Sequence, residues 1–452
     1  GGFLWVLADE GVKRVDMDGF IDNQGNFGAD GIVGPHHEKE GSYYTIKQLW
    51  SPVQVMNTAI DRNFDGKLSV ENRYDYLNLN TCRFIWQQVK FPSVTDASNT
   101  TTRILKQGEV QGSDVAAHGV GVVDIKTSIL PEADALFLTV IDKYGYELWR
   151  WTFPVDKLNR ETEQFSASSG RASYTETEKG ITVKANGRTF VFSKKDGQLK
   201  DVSVNNRKIS FANGPRFIGA RRADRSLDQF YNHDDEKAKA KDRTYSEFTD
   251  AAVFTKLDVK EEGGNLILTA NYKLGNLDKA QWTIHPDGMA TLDYTYNFSG
   301  VVDLMGICFD YPEEQVLSKR WLGAGPYRVW QNRIHGAQYD IWENDYNDPI
   351  PGETFTYPEF KGYFGSVSWM SIRTKEGTIS LTNETPDSYI GVYQPRDGRD
   401  RLLYTLPESG ISVLNVIPPV RNKVNSTDLC GPSSQPKWVD GPQTGRLVLR
   451  FE

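Results

Sequence analysis

The sequence has 452 residues, of which 25% are charged and 38% hydrophobic, a composition typical of globular rather than disordered proteins. Its 52 Lys and Arg residues are outnumbered by 60 Asp and Glu, and the net charge of −8 argues against a nucleic-acid partner and against a basic membrane-binding patch. No apolar run approaches the roughly 20 residues of a transmembrane helix, and three cysteines are too few for a disulfide framework.

The first predicted elements are a buried strand, a loop and a helix. Residues 2–8 are an apolar run with no Met or charged stretch before it, so we expect a strand entered from a preceding segment, not a signal peptide. Residues 19–37 read as a long loop, and 43–50 as a short helix. This order is one unit of an α/β barrel. Asp9 and Glu10 would then lie near the mouth of the barrel, although a hydrogen-bonded turn explains them equally well.

From about residue 53 the pattern becomes all-β. Short strand-like runs alternate with polar turns at the spacing of a β-sandwich. The predicted strands in this part are 67–70, 74–79, 82–89, 119–127 and 134–141. A polar loop is predicted over 94–101, and a Ser/Thr/Glu-rich linker over 155–180.

The remaining residues, about 160–452, are β-rich throughout and predict one very large sandwich. Residues 181–185 and 188–193 flank Asn186-Gly187, which is a strong hairpin signal. Further strands are predicted at 199–204, 266–272, 291–297, 365–372 and 447–451. The mixed-charge stretch 221–243 is predicted to be a solvated loop or a short helix.

Familiar catalytic and metal-binding motifs are missing from the sequence. Residues 61–66 imitate the opening of an EF-hand loop, but its twelfth position is Asn72 instead of Glu, so we predict an ordinary turn. His36 and His37 are adjacent in a loop and are expected at the surface. There is no HExxH pair, zinc-type Cys/His spacing, GxSxG elbow or phosphate loop, which disfavours zinc, serine-nucleophile and nucleotide chemistry.

Several segments resemble glycoside hydrolase family 2, and above all its large β-galactosidases. The N-terminal run 1–5 with Asp9, followed by 30–33, resembles the end of the family's catalytic barrel. Three further segments match in order, namely 72–79, 321–326 and 445–451. Four ordered matches spread over the whole chain make the resemblance specific.

The resemblance implies a mainly β fold in three parts. Residues 1–50 would be the last strand, loop and helix of a (β/α)8 barrel. Residues 51–157 would form an immunoglobulin-like β-sandwich, and 158–452 a β-supersandwich like that of galactose mutarotases. The implied partners are an oligo- or polysaccharide substrate, an upstream barrel or separate catalytic chain, and further copies of the chain in a homo-oligomer. A periplasmic or secreted location is favoured over a cytoplasmic one.

The resemblance also implies site residues. Trp5 would line the sugar subsite, since an indole offers a flat apolar face to a sugar ring. Phe27, through its backbone carbonyl, and Asp30 would hold a monovalent cation (Na⁺ or K⁺) beside the sugar, Asp30 would also bind the substrate, and Asp9 would support them from behind. Residues 6–8 and 328–329 depart from the β-galactosidase pattern, so the sugar need not be a simple β-galactoside.

No catalytic residue is expected in this chain. The family's nucleophile and acid/base glutamates precede the GGFxW strand, and a retaining glycosidase needs both carboxyl groups about 5–5.5 Å apart. We therefore expect the chain alone to hydrolyse nothing. The alternative is a non-catalytic carbohydrate-binding or structural β module. An aldose epimerase is a third reading, for which no His/His/Glu motif is visible.

Overall fold

The computed structural model describes residues 2–22, 28, 31–96, 101–155, 170–222, 245–248, 250–345, 362–392, 407–419 and 431–452. Within these residues the fold is mainly β, as predicted, with a single α-helix, α1 (Gly41–Leu49). No helix in the described part of the chain has the length and apolar character needed to cross a bilayer.

The described residues before 156 form nine strands. They are β1 (Val12–Arg14), β2 (Phe20–Asp22), β3 (Val53–Val55), β4 (Lys67–Asn72), β5 (Arg83–Lys90), β6 (Arg103–Gln111), β7 (Val120–Asp124), β8 (Ala135–Ile141) and β9 (Glu147–Pro154).

In the part of the chain after residue 169 that the structure describes, there are twenty strands. They are β10 (Ser173–Glu176), β11 (Gly180–Ala185), β12 (Arg188–Ser193), β13 (Leu199–Val204), β14 (Arg207–Ile209), β15 (Ala212–Arg222), β16 (Tyr245–Glu247), β17 (Val253–Glu262), β18 (Asn265–Lys273), β19 (Leu277–Ile284), β20 (Ala290–Val302), β21 (Leu304–Asp310), β22 (Val316–Gly325), β23 (Gln338–Asp345), β24 (Phe364–Gly365), β25 (Trp369–Thr374), β26 (Thr378–Asn383), β27 (Tyr389–Gly391), β28 (Ile411–Val416) and β29 (Lys437–Phe451).

The N-terminal part corrects one prediction and confirms another. Residues 2–8 form no strand, and most of their side chains are exposed: Phe3 fully and Trp5 by 86%. The predicted buried strand is therefore wrong for residues 2–8, because within the described residues only one bridge, Ala8 with Val33, pairs this run with another segment. The loop expected from residue 19 begins inside a small hairpin, β1–β2. The helix predicted over 43–50 is confirmed as α1.

Strands β3 to β9 form a seven-stranded sandwich. A three-stranded sheet, β3-β4-β7, packs against a four-stranded sheet, β6-β5-β8-β9, and all pairs are antiparallel. The core between them contains Leu68, Phe84, Leu138 and Phe153. Alternation of buried and exposed residues along β4 and β5 explains why these strands were predictable.

The predicted strand 74–79 is wrong, and Asn72 supplies the physical reason. Its side-chain oxygen accepts a hydrogen bond from Tyr74 N (3.0 Å), and its amide donates to Leu77 O and Val115 O (both 2.9 Å). Side-chain hydrogen bonds therefore serve backbone groups that a strand would pair in a ladder. The segment ends in the 3₁₀ turn Leu79–Thr81.

Strands β10 to β29 build the large sandwich. An eleven-stranded sheet runs in the order β10-β11-β12-β13-β15-β21-β28-β27-β24, with β14 beside β13 and β16 beside β15. It faces a nine-stranded sheet ordered β17-β18-β19-β20-β29-β26-β25-β22-β23. Aromatic rings fill the space between the sheets, including Phe192 against Trp282 and Phe211 stacked on Phe309 with centroids 4.5 Å apart.

Other predictions for this part are mostly confirmed. The Asn186-Gly187 turn joins β11 to β12, with φ of 42° and 76°, as a tight hairpin requires. Part of the predicted linker 155–180 is strand β10, while 156–169 and 223–244 lie outside the described residues. The predicted boundary at 157–158 lies there too and stays a prediction.

The two sandwiches share an apolar and a polar contact. Phe91 and Phe137 of the smaller one pack in one cluster with Leu322 and Trp369 of the larger one. Asp340, on β23, accepts hydrogen bonds from Thr102 Oγ1 at 2.6 Å and Arg150 Nη2 at 2.9 Å. Charge-assisted bonds beside an apolar cluster fix how the sheets meet.

Candidate functional site

Residues 2–9, which we call the N-terminal segment, are held by a short parallel pairing to the end of the loop that follows them. Ala8 lies opposite Val33, and Asp9 N donates to Val33 O over 2.9 Å. Ile32 N and Val33 N both donate to Leu7 O, over 3.0 and 3.1 Å. This backbone pairing brings the two ends of the N-terminal loop together.

The Asp9 side chain is hydrogen-bonded to the same loop. This side chain is buried, and Oδ1 accepts a hydrogen bond from Gly31 N over 2.7 Å. Glu10 N donates to Gly28 O over 2.8 Å. A Cβ at Gly31 would lie 2.4 Å from Asp9 N, so only glycine permits this approach.

The predicted cation ligands Phe27 and Asp30 lie outside the described residues. Their flanks, however, are fixed: Gly28 and Gly31 both hydrogen-bond to the 9–10 segment. Asp9 thus acts on the loop backbone, and its effect on a sugar or a cation stays a prediction.

Trp5 lies four residues before Asp9, on an open face. Its indole is 86% exposed, and its neighbours Phe3, Leu4 and Leu7 are also exposed. Gly2 lies against the Trp50 ring, from which a Cβ would be only 3.5 Å away. Large apolar side chains are rarely left together in water without a binding partner.

A loop of the large sandwich, residues 326–337, holds α1 and the segment before it. Tyr327 OH donates to Lys39 O over 3.1 Å, and its ring lies 5.2 Å from that of Tyr44. Thr45 Oγ1 donates to His335 O over 2.8 Å. Gly336 N donates to Gln48 Oε1 over 2.6 Å. We call residues 326–337 the bracing loop.

The bracing loop is itself rigidly anchored. The Trp330 side chain is fully buried with its ring in edge contact with Tyr363, and Trp330 N donates to Arg333 O over 3.2 Å. Gln331 Nε2 donates to Ser433 O and Gln435 O over 2.8 and 2.6 Å. The loop can therefore fix the position of α1 relative to the large sandwich.

The WLGAGP segment that precedes the bracing loop is structural. Trp321 is fully buried, donates Nε1–H to Ala324 O over 2.9 Å and packs edge-on against Phe364. Arg328, one of the departures from the β-galactosidase pattern, is also buried. The contacts made by Tyr327 and Gly336 could not be predicted from local patterns, because they join residues almost 300 positions apart.

The remaining predicted features behave as surface or turn residues. His36 and His37 are exposed, as predicted. The EF-hand-like stretch is an ordinary turn in which Asp61 Oδ1 accepts from Asn63 N and Asp65 Oδ1 from Lys67 N. Over the described ranges, no group of three or more His, Cys, Asp or Glu side chains is arranged to hold a metal ion.

Comparison with known proteins gives relatives for this architecture. The chain is 21% identical over 421 residues to a β-galactosidase of Priestia megaterium, a match that covers 85% of this chain and 38% of that protein. A β-galactosidase of Staphylococcus xylosus is also 21% identical, with 86% of this chain and 40% of that protein covered. The chain thus spans about two fifths of the length of these relatives.

Among solved structures, galactose 1-epimerase from Lactobacillus acidophilus aligns with 63% of this chain and 99% of its own, at 10% identity and a TM-score of 0.34. A putative mutarotase from Salmonella typhimurium aligns with 64% of this chain and 98% of its own, at 9% identity and a TM-score of 0.29. The model of the β-galactosidase small chain family matches residues 184–414, which is more than half of the sequence. The chain belongs to the β-galactosidase small chain family.

Proposed function

We propose that this chain is the C-terminal part of a retaining, β-galactosidase-like glycoside hydrolase that cleaves terminal β-glycosidic bonds. In this proposal it supplies sugar-binding and cation-binding residues, and a catalytic barrel supplies both catalytic carboxylates. The observation that carries the proposal is the exposed apolar segment around Trp5, which is held by backbone hydrogen bonds to residues 32 and 33 and left open on one face.

Trp5 serves as the sugar platform. One face of a pyranose ring is lined by C–H groups, and an indole packs against it while the hydroxyl groups remain free for polar partners. The Asp9–Gly31 hydrogen bond and the Ala8–Val33 pairing limit how far Trp5 moves relative to the loop. Orientation of the substrate is therefore built into the backbone before the sugar arrives.

The loop that Asp9 fastens would hold the monovalent cation. The Asp30 carboxylate and the Phe27 carbonyl are hard oxygen donors, which suit Na⁺ or K⁺. The hydrogen bonds of Gly28 and Gly31 to residues 9–10 support this role because they fix both flanks of Asp30. A bound cation would supply positive charge to sugar hydroxyl oxygens.

The division of labour follows from the chemistry. A retaining glycosidase needs one carboxylate as nucleophile and one carboxyl group as acid/base, about 5–5.5 Å apart on opposite sides of the scissile bond. The proposed roles of Trp5 and Asp30 are binding and orientation. The bracing loop keeps α1 in place, so the large sandwich would act on the site through Tyr327 and Gly336.

The test compares hydrolysis of 4-nitrophenyl β-galactoside by this chain alone with hydrolysis by the chain joined to the barrel segment of a family member. We expect turnover only from the joined protein. There, Trp5→Ala should lower kcat/KM by at least roughly tenfold, the loss of about 1.4 kcal/mol of binding. Trp438→Ala is the matched control, since Trp438 is 70% exposed and far along the chain.

Three results would contradict parts of this proposal or favour the alternative function. Hydrolysis by the chain alone would refute the assignment of catalysis to the barrel. An unchanged kcat/KM in Trp5→Ala would refute the sugar platform. Sugar binding without hydrolysis in the joined protein would favour a non-catalytic carbohydrate-binding module instead.

A further inference from the structure

One end of the smaller sandwich exposes three tyrosine rings. Tyr76 lies in the loop after β4 and is 95% exposed, while Tyr144 and Tyr146 lie in the turn between β8 and β9 and are 70% and 71% exposed. We call Tyr76, Tyr144 and Tyr146 the tyrosine face. Neither the proposed sugar platform nor the core uses these rings.

The turn that carries two of the rings is rigid. Asp142 Oδ1 accepts hydrogen bonds from Tyr144 N at 2.9 Å and Tyr146 N at 2.8 Å. Asp142 N donates to Tyr146 O over 2.9 Å, and Gly145 takes the left-handed φ of 91° that the turn needs. The backbone entropy of presenting these rings is thus lost on folding and not on binding.

Tyr74 connects the two loops of the tyrosine face. Its ring packs against the core cluster that contains Cys82. Because Arg83 pairs with Ile141 in the antiparallel β5–β8 ladder, Cys82 lies beside Asp142 at the start of the β8–β9 turn. Tyr76 is only two residues further along the chain. The loop after β4 and the β8–β9 turn therefore lie side by side.

Polar side chains accompany the rings. Asp75 pairs with His118 over 3.2 Å, and Asn78 Nδ2 donates to Asp114 Oδ1 over 2.7 Å. Lys143 Nζ lies 4.8 Å from the centroid of the Tyr144 ring, which nevertheless stays mostly exposed. Flat rings beside carboxylate and amide groups suit a ligand that has both C–H faces and hydroxyl groups.

We propose that the tyrosine face is a carbohydrate-binding surface, separate from the Trp5 platform, for a β-linked oligosaccharide. The large apolar side chains that its two loops expose are all tyrosines, whereas a protein-docking patch buries a continuous apolar core. Rings stack on pyranose faces, and the phenol, carboxylate and amide groups hydrogen-bond the hydroxyls.

Its place beside α1 favours a chain of several sugars. Glu147, directly after Tyr146, pairs with Lys47 of α1 over 2.8 Å. Trp50, at the end of α1, is 57% exposed and contacts Gly2. The end of α1 thus contacts both the residue next to Tyr146 and the N-terminal segment.

The test uses the full 452-residue chain and reads binding, so its result is independent of whether the proposed hydrolysis occurs. The probes are β-1,4-linked galactotetraose and cellotetraose, with galactose as the monosaccharide, in saturation-transfer NMR and calorimetric titration. We expect a tetrasaccharide to bind more tightly than galactose. Tyr144→Ala with Tyr146→Ala should weaken that binding by about tenfold or more, whereas Tyr144→Phe should keep it.

Two matched variants complete the design. Tyr174→Ala removes a tyrosine from β10, on the other sandwich, and should leave Kd unchanged. Trp438→Ala, which removes an exposed ring from β29, should do so as well. No binding of either tetrasaccharide at 10 mM, or equal binding by the double alanine variant with unchanged Tm, would overturn the proposal. So would a self-associated chain that the same double variant turns into a monomer.

Discussion

The substitution Gly31→Ala tests the fastening of the N-terminal loop. A Cβ at this position would lie 2.4 Å from Asp9 N, 2.5 Å from the Ala8 carbonyl carbon and 2.8 Å from Val33 O. All three are backbone atoms, which cannot rotate away as a side chain would. The new methyl group must therefore separate the loop from the N-terminal segment.

The cost follows from the hydrogen bonds that would break. Gly31 N to Asp9 Oδ1 (2.7 Å), Asp9 N to Val33 O (2.9 Å) and Ile32 N to Leu7 O (3.0 Å) all cross this contact. At about 1 kcal/mol each, their loss lowers the free energy of local opening by about 3 kcal/mol. That is roughly two orders of magnitude in the population of the open loop.

Hydrogen exchange of the backbone amides measures this change directly. In Gly31→Ala, exchange at Asp9, Ile32 and Val33 should accelerate at least tenfold, while the amides of both sandwich cores keep their rates. Gly2→Ala is the control, because its Cβ would meet only the Trp50 ring at an ordinary 3.5 Å. Equal protection in Gly31→Ala and the unmodified chain would refute the reasoning.

Three further predictions concern the sandwiches. Asp340→Ala should lower the free energy of urea unfolding by about 2–3 kcal/mol, because it leaves the largely buried Arg150 without its carboxylate. A loss below about 0.5 kcal/mol would contradict the polar contact between the two sandwiches. Burial raises the pKa of the Cys308 thiol to about 11. In a Cys430→Ser background, a thiol reagent at pH 8 should therefore label Cys308 only after unfolding. Rapid labelling of Cys308 in the native chain would contradict this. Burial lowers the pKa of His285 below its ordinary 6.5, so the unfolded chain binds the extra proton first as the pH falls. The folded chain should therefore lose stability between pH 7 and pH 5, and His285→Gln should flatten this dependence. An unchanged slope would contradict the assignment of this pH dependence to His285.

The central strands were predictable because their patterns reflect burial on the faces of a sheet. Strand β5 alternates, whereas β8 is almost continuously apolar because its second face, with Ala135 and Phe137, packs against the large sandwich. The missed strands β6 and β9 are the two edges of the same sheet. Most of β6 is exposed, so its sequence carries little of the alternation that identifies a strand.

The failures near the candidate site have another origin. The apolar run 2–8 has the composition of a buried strand, but burial depends on neighbours that the sequence of the run does not contain. Asn72 diverts the backbone of 74–79 through three side-chain hydrogen bonds that no periodicity reveals. The bracing loop meets α1 across almost 300 residues, a distance over which local pattern carries no information.

Trp5 was singled out from the resemblance alone and Asp9 also from its place after the predicted strand, and the structure gives each a setting. Asp9 is a buried acceptor for Gly31 N, whereas Trp5 remains exposed. The difference has a physical cause. The Asp9 carboxylate needs only hydrogen-bond donors, which one loop of its own chain can provide, whereas an indole is covered only by a large apolar surface. We propose that the sugar and the barrel supply that surface.

The most direct test of this account is turnover of 4-nitrophenyl β-galactoside by the 452-residue chain, alone and joined to a family barrel segment, with and without Trp5→Ala. We expect no hydrolysis by the chain alone and hydrolysis by the joined protein. In the joined protein, Trp5→Ala should reduce kcat/KM at least roughly tenfold. Hydrolysis by the isolated chain, or a joined protein indifferent to Trp5→Ala, would contradict it.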